Sequence, residues 1–597
     1  MSQCAAQIDA ALANVRRRLM DELDKGDHWS GRLSSSALST ATAAMALAMH
    51  GDDVQPSLAW LIANQNADGG WGDTDRSASN LATTLLVLSA FAAAKHDSDS
   101  DGLDRAREYV SSQTGSLDAR SIAAAVTAAY GDDRTFATPI LAACAMSGLL
   151  DHGLVTSVTQ DSLWSCIPPL PFELAILPHR LLRWLRLPMV SYALPALIAI
   201  GAAVHHHRRP RSLLRPLRDA VLGAALRKLA RIQPESGGFL EAAPLTSFVT
   251  AALISSGFGD HATVAAGVGF LKSTMRSDGS WPIDTNLATW VTTLAVNAMP
   301  SGLDDSQRAS LRAWILSCQH KQVHPYTGAE AGGWAWTNLS GGVPDADDTA
   351  GAMLALHALG SDDAAAGRSA VAGALWLMGL QNRDGGIPTF CRGWGRLPFD
   401  RSCADLTAHA LRAWNAWKPH MDLELQEQID AATKKAWRFL ARAQQHHGSF
   451  LPLWFGNENA PAQANPTYGT SRVLLALATC PTPRDDLLPR AANWLISAQG
   501  DNGGWGGAPG MAASIEETAL AVEALATAGA VLPPAQSQAA RQAVAAGVRF
   551  LLAATDAGTR FEHAPIGLYF ASLWYYEDLY APIFTAAALA STKILGR

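Results

Sequence analysis

The chain has 597 residues, 48% of them apolar and 17% charged, with a formal net charge of −7. That length supplies several domain-sized cores, and the negative balance excludes general nucleic-acid binding. Seven scattered cysteines, at 4, 144, 166, 318, 391, 403 and 480, show no CxxC spacing, which points to reduced thiols in a cytoplasmic compartment. The start, Met1-Ser2-Gln3-Cys4-Ala5, has no charged n-region leading into an apolar core, so no signal peptide is expected. No window offers a clean transmembrane span.

In chain order, residues 6–24 read as a helix with mixed polar faces. After Gly26-Asp27-His28-Trp29 comes a small-residue helical stretch, Ser34 to His50. A recurring pattern then begins: Trp60-Leu61, Gln65, Asp68-Gly69-Gly70-Trp71. It has the form of a helix end, a glycine-rich turn and an aromatic, often followed by an apolar helix such as Leu81–Phe91. The glycines permit a tight C-cap. The Gln can bond across the turn, and the aromatic can pack back on the preceding helix.

Trp164 to Pro210 breaks the rhythm. Proline-broken Ile167 to Pro178 precedes His179-Arg180-Leu181-Leu182-Arg183-Trp184-Leu185-Arg186, an apolar helix Val190–Val204, and His205-His206-His207-Arg208-Arg209. Apolar residues, Trp and Arg at helical spacing suit a helix lying in a membrane interface. They suit equally an ordinary buried helix pair with Arg on its wet side.

The pattern returns at Gln233 with Gly237-Gly238-Phe239, and at Phe270-Leu271 with Gly279-Ser280-Trp281. A stretched copy joins Gln319 to Gly332-Gly333-Trp334. Then comes Pro344-Asp345-Ala346-Asp347-Asp348-Thr349-Ala350, three carboxylates within four residues, running into Ala352-Met353-Leu354-Ala355-Leu356. The ordinary explanation is an acid-capped first helical turn. The sharper one is a proton donor, because like carboxylates held close cannot all ionise. Further copies lie at Gln381 with Gly385-Gly386-Ile387, Gln444 with Gly448-Ser449-Phe450, and Gln499 with Gly503-Gly504-Trp505. Phe550-Leu551 to Phe561 is a worn one. Spacing is irregular, about 30 to 60 residues, so paired helices wound into α-α barrels are expected rather than a strict solenoid. With no sustained period-two pattern, strands should be few. Last, Leu568 to Tyr580 holds six aromatics in thirteen residues. A core helix accounts for part of that, although core helices more often use Leu and Ile.

These features together resemble the squalene-hopene cyclases. The repeats look like that family's QW motifs, and Asp345-Ala346-Asp347-Asp348-Thr349-Ala350 matches its DxDDTA signature. Ala404-Asp405-Leu406-Thr407-Ala408-His409 is similar to its EDVTAH segment, and Tyr468-Gly469-Thr470 matches a further short motif. The likeness runs from about Trp29 to Ala590. It implies an all-α fold of two α-α barrels enclosing a central apolar cavity. One, at about 21–292, would be inserted into the other and carry a membrane-facing entrance. The other would combine 1–20 with 293–597 and carry the acid motif.

Carried over residue by residue, Asp347 is the proton donor, Asp345 and Asp348 flank it, and His409 hydrogen-bonds the catalytic carboxyl. A protonated His409 and the helix N-terminus would stabilise the anion left behind. The family's cavity aromatics fall on Tyr192, Trp290, Trp336, Phe390, Trp454, Tyr569, Phe570 and Tyr576, whose π faces would stabilise a carbocation.

Departures are also visible. Gly341-Gly342-Val343 stand where relatives carry bulk, which suggests a roomier wall near the acid. Val291 replaces an acid and Leu573 an aromatic, Glu577-Asp578 replace a basic pair, and the loop at Arg392–Ser402 is compressed.

The resemblance implies proton-initiated cyclisation of squalene or a similar linear isoprenoid, without cofactor or metal. The enzyme would be monotopic on the cytoplasmic side of the cell membrane, in contact with membrane lipid, with a homodimer left open and no nucleic-acid partner. A class II cyclase of a prenyl diphosphate is the nearest rival. A non-catalytic isoprenoid-binding helical barrel is the rival from another class. A prenyltransferase subunit fits less well, since no Cys/His/Asp zinc constellation is evident.

Overall fold

The computed structural model describes residues 2–23, 26–95, 100–130, 134–149, 163–178, 181, 194–208, 215–325, 327–393, 395, 397–481, 486–569 and 573–593. Among these, helices dominate and form two rings. In the larger, Ala288–Ala298, Ala346–Gly360, Ala404–Trp417, Pro466–Thr479, Ile515–Ala528 and Tyr580–Thr592 pack each on the next, and the last closes on the first. Asp305–Ser317, Ala364–Leu380, Leu423–Ala443, Leu487–Ser497 and Pro534–Ala554 alternate with them along the chain, and Ser2–Asp21 packs on Tyr580–Thr592. In the smaller ring, Ala37–His50, Leu81–Ala93, Arg134–Met146, Leu194–Arg208 and Ala243–Ser255 pack in the same circular way. The ring helices are buried nearly all round, which is why their sequences are uniformly apolar or small instead of amphipathic.

The repeats are the fasteners. Gln381 Nε2 donates to Gly385 O at 2.8 Å in its own turn and to Ala432 O at 2.9 Å in the next outer helix. Gln65, Gln233, Gln319, Gln444 and Gln499 each make the equivalent pair of bonds. Gly385 sits at φ 94°, and a Cβ there would lie 2.2 Å from Lys435 O, so only glycine fits. The aromatic packs back as expected: the Trp71 and Trp505 indoles donate to Leu61 O and Leu495 O, each at 2.7 Å. A fourth element was not read from the sequence. The backbone N–H of the turn's last residue donates to a Thr Oγ1 on a ring helix, as in Trp334 to Thr349 (3.0 Å) and Ile387 to Thr407 (2.9 Å).

Two such fasteners close each ring across a long stretch of chain. Trp29 bonds back to Leu19 O in Ser2–Asp21, which packs on the larger ring, and its N–H donates to Thr292 in that same ring. Trp281 bonds back to Leu271 O in Ala262–Thr274, which packs on the smaller ring, and its N–H donates to Thr40 in that same ring. Where the chain passes between rings, Ser35–Ser36 pairs antiparallel with Trp281–Pro282.

One stretch resolves differently from its helical sequence reading. Leu568 to Tyr580 is not a helix until its last residue: Gly567–Tyr569 and Leu573–Tyr575 form an antiparallel hairpin before helix Tyr580–Thr592 begins. Of the proline-broken segment, Ile167, Phe172 and Ala175 are buried, whereas Pro169, Ile176, Pro178 and Leu181 are exposed. Leu194–Arg208 is a ring helix buried along most of its length, and Arg218 is held by Glu173 at 3.0 Å. No described helix is long and apolar enough to cross a membrane.

Candidate active site

The acid helix Ala346–Gly360 begins where Asp345 caps it. The Asp345 carboxylate accepts the Asp348 N–H at 2.9 Å, and its own N–H pairs with Trp334 O at 2.9 Å. The stretched repeat thus delivers the acid motif directly from its turn. Asp345 and Asp348 are both buried, whereas the Asp347 side chain keeps 20% of its surface exposed. Burial pushes Asp345 up to about 7 and Asp348 well above its ordinary value; the charge of Asp347 adds to both rises and that of Asp345 to the rise of Asp348, while the bond from Asp348 partly offsets the rise of Asp345. Between them these two keep at least one proton beside Asp347 at neutral pH.

His409 Nδ1 lies 2.5 Å from Asp347 Oδ1. This links the acid helix to Ala404–Trp417, and it places the pair as the sequence anticipated. The electrostatics differ from expectation. Burial pulls His409 below its ordinary value, and the hydrogen bond to Asp347 only partly offsets that. A charged His409 is therefore favoured only on the acidic side. Asp405, one helical turn earlier, is pushed up to about 7 by burial and by the charge of Asp347.

Asp347 lines two cavities. The first lies between the rings. It is walled by Leu240, Phe248, Trp290, Trp336, Phe390, Phe399, Trp454, Phe455, Leu573 and Tyr575, with Asp345, Asp347 and Asp348 as its acidic lining. Trp336, Phe390 and Trp454 form an unbroken edge-to-face series, with centroids 6.2 and 6.0 Å apart. The Trp454 indole is fixed by Thr389 Oγ1 at 2.5 Å, and Thr389 O in turn accepts the Ala346 N–H, tying this wall to the acid helix. Among the described lining residues there is no Lys, Arg or His. The second cavity sets a cluster of polar and charged groups beside Trp290, Leu294, Ile583 and Phe584. Asp347, Asp405, His409, Arg412, Tyr468, Arg472 and Glu523 line it.

Of the aromatics anticipated from sequence, Trp290, Trp336, Phe390 and Trp454 line the first cavity. Tyr576 does not. It donates to Asp75 at 2.9 Å and stacks on His563, away from the cavity. The reason is the hairpin: strand side chains alternate, so Leu573 and Tyr575 face the cavity and Tyr576 turns outward. Tyr192, Phe570 and the side chain of Tyr569 lie outside the described residues. Tyr575, Phe399, Phe455 and Phe248 were missed. A period-two reading of 573–576 would have found the first; nothing in the sequence singles out the others.

The expected roomier wall at Gly341-Gly342 is also corrected. A Cβ on Gly341 would meet Glu241 Oε1 at 2.6 Å, and one on Gly342 would meet Ala335 and Thr337 at 3.0 Å. Neither glycine lines the cavity; Leu240, from the smaller ring, does.

The chain that carries this site matches known families and proteins. The model of the squalene-hopene cyclase C-terminal domain matches residues 287–594, and that of the N-terminal domain matches 12–141. The chain belongs to the squalene-hopene cyclase family. Enfumafungin synthase of Hormonema carpetanum is 26% identical over 86% of this chain, which spans 44% of that protein's length. A terpene cyclase-glycosyl transferase fusion protein of Humicola fuscoatra is likewise spanned over 44% of its length. Copalyl diphosphate synthase of Streptomyces cyslabdanicus is 27% identical, covering 87% of this chain and 85% of its own. In fold, the ent-copalyl diphosphate synthase of Streptomyces platensis superposes over 100% of both chains with a TM-score of 0.60 at 20% identity.

Proposed function

We propose that this enzyme cyclises a linear polyprene, squalene or a similar hydrocarbon, by proton transfer from Asp347. The observation that carries the reading is the contrast across one carboxyl: an apolar, aromatic-walled cavity on one side, and His409 with a polar chamber on the other.

In the reactive state His409 is protonated and its Nδ1–H donates to Asp347 Oδ1, while the acid proton sits on Oδ2. An alkene of the substrate takes that proton as its π electrons form the new C–H bond and the O–H electrons stay on Asp347. The imidazolium and the first-turn N–H groups stabilise the resulting carboxylate. The cation then migrates by successive alkene attack beneath Trp336, Phe390 and Trp454, whose π faces each contribute about 2 kcal/mol when desolvated. Loss of a proton or capture of water ends the reaction. The polar chamber supplies the route by which Asp347 regains its proton.

A second reading, cyclisation of a prenyl diphosphate, is favoured by one finding: a copalyl diphosphate synthase matches this chain along nearly its full length. The cavity's lack of described cationic lining favours the hydrocarbon. Incubating the purified enzyme separately with squalene, geranylgeranyl diphosphate and farnesyl diphosphate, with mass spectrometry of the products, decides between them. Conversion of squalene supports the first reading. Conversion of a diphosphate alone replaces it.

We also propose peripheral attachment to the cytoplasmic leaflet through residues 167–209, within which Ile176 and Leu181 are 41% and 38% exposed. Flotation with liposomes tests this, and protein that stays out of the lipid fraction refutes it.

A further inference from the structure

Two consecutive non-glycine residues, Leu240 and Glu241, stand at φ 57° and 55°. L-residues avoid this region, and strain of this kind persists only where the surroundings fix it. What fixes it is a set of bonds reaching the other ring. Glu241, 1% exposed, accepts the Gly341 N–H at 2.7 Å and the Ser236 hydroxyl at 2.6 Å, both on Oε1. Its backbone carbonyl accepts from Thr285 N at 3.0 Å, and Ser236 N donates to Ser340 Oγ at 3.0 Å. Gly341 lies four residues before Asp345 and has no room for a side chain against this carboxyl. On the other side of the same loop, His324 Nε2 contacts Gly342 O at 3.1 Å. The strained turn thus grips the loop that leads into the acid helix, and it projects Leu240 into the apolar cavity.

We propose that Glu241 is a positioning residue: its bond to Gly341 holds Leu240 against the folded substrate, and so selects which cyclisation products form. The inference rests on the cyclase reading of the cavity. Removing the acceptor lets the turn relax to an unstrained backbone, which withdraws Leu240 and widens the cavity at that level. Initiation at Asp347 is left in place, because the acid helix keeps its own cap at Asp345.

The test compares Glu241→Gln, which keeps the Oε1 acceptor, with Glu241→Leu, which removes it, and with Leu240→Ala, which removes the wall directly. The substrate is whichever of squalene, geranylgeranyl diphosphate and farnesyl diphosphate the unaltered enzyme converts. Glu241→Leu and Leu240→Ala are expected to shift the ratio of products in the same direction by about five-fold or more, with substrate consumption reduced less than the ratio moves. Glu241→Gln should retain the parent ratio. If Glu241→Leu does not fold, Ser236→Ala, which loosens the same carboxyl, should give a smaller shift of the same sign. An unchanged product ratio in the folded acceptor-loss variant, or a shift that Leu240→Ala does not share, overturns the proposal. If the unaltered enzyme converts none of the three substrates, the cyclase reading itself has failed.

Discussion

The two cavities that meet at Asp347 differ in the charge they hold. The one between the rings is walled by Trp336, Phe390, Trp454 and aliphatic side chains, and its acidic groups are confined to the Asp345–Asp348 turn. The chamber behind holds Arg412, Arg472, Glu523, Tyr468 and Asp405 around His409. A carbocation needs π faces and no nucleophile; an acid that must be recharged needs polar groups able to pass a proton. One carboxyl touching both lets the two requirements coexist a few ångströms apart. The difference teaches that the division is made by helix position: Asp347 and His409 lie on adjacent ring helices, and their 2.5 Å contact is the boundary.

Removing the boundary should have the largest effect. Asp347→Asn should lower kcat by about 10³-fold or more while binding of a non-reactive polyprene analogue survives, since the acid acts only in the transition state. Steady-state kinetics beside calorimetric binding measures both. Retained turnover would show that the acid is elsewhere.

Changing the polar side alone comes next. His409→Phe should lower kcat by about 10- to 100-fold and leave product ratios unchanged, because His409 bears on proton transfer and not on the cation's path. Altered products at an unaltered rate would place His409 on the wrong side of the boundary. In the parent enzyme, activity should fall as pH rises. His409 is held below its ordinary value, and Asp345 loses its proton through about pH 7 while Asp348 keeps its own, so both effects have the same sign.

Changing the apolar side should do the converse. Trp454→Ala should shift products toward fewer rings, with a loss of about 2 kcal/mol at a late cation while the first protonation survives. Unchanged product proportions, with only weaker binding, would reduce Trp454 to packing.

The smallest effect concerns stability. Burial raises Asp345, Asp405 and Glu517 to about 7, and Glu458, Glu516 and Glu577 to about 8. Each native carboxyl therefore keeps its proton after the unfolded chain has lost its own, so these groups make stability fall from about pH 4 to about pH 8. Thermal unfolding at pH 5 should give a higher Tm than at pH 8. The reverse order would mean that these groups are ionised in the fold.

Much of this was legible because the repeats advertise themselves. A Gln, a glycine turn and an aromatic at fixed offsets imply the bonds seen at Gln381 and Trp505, and the acid motif with the Asp405–His409 segment implied the dyad. What stayed hidden depended on distant partners. The Trp29–Thr292 and Trp281–Thr40 bonds join residues more than two hundred positions apart, and no local pattern signals them. Leu240 reaches the cavity only because Glu241 finds Gly341 a hundred residues on, and the same contact fills the space that two glycines seemed to leave open. Tyr576 was misplaced because an aromatic cluster was not read with the period of a strand.

The most direct test of Asp347 as the initiating acid is isotopic. With the substrate the enzyme converts, incubation in D₂O should give a product carrying one solvent-derived deuterium at the carbon that was the initiating alkene terminus, and Asp347→Asn should give none. A cyclised product formed in D₂O without deuterium at that carbon would contradict proton-initiated cyclisation at this site.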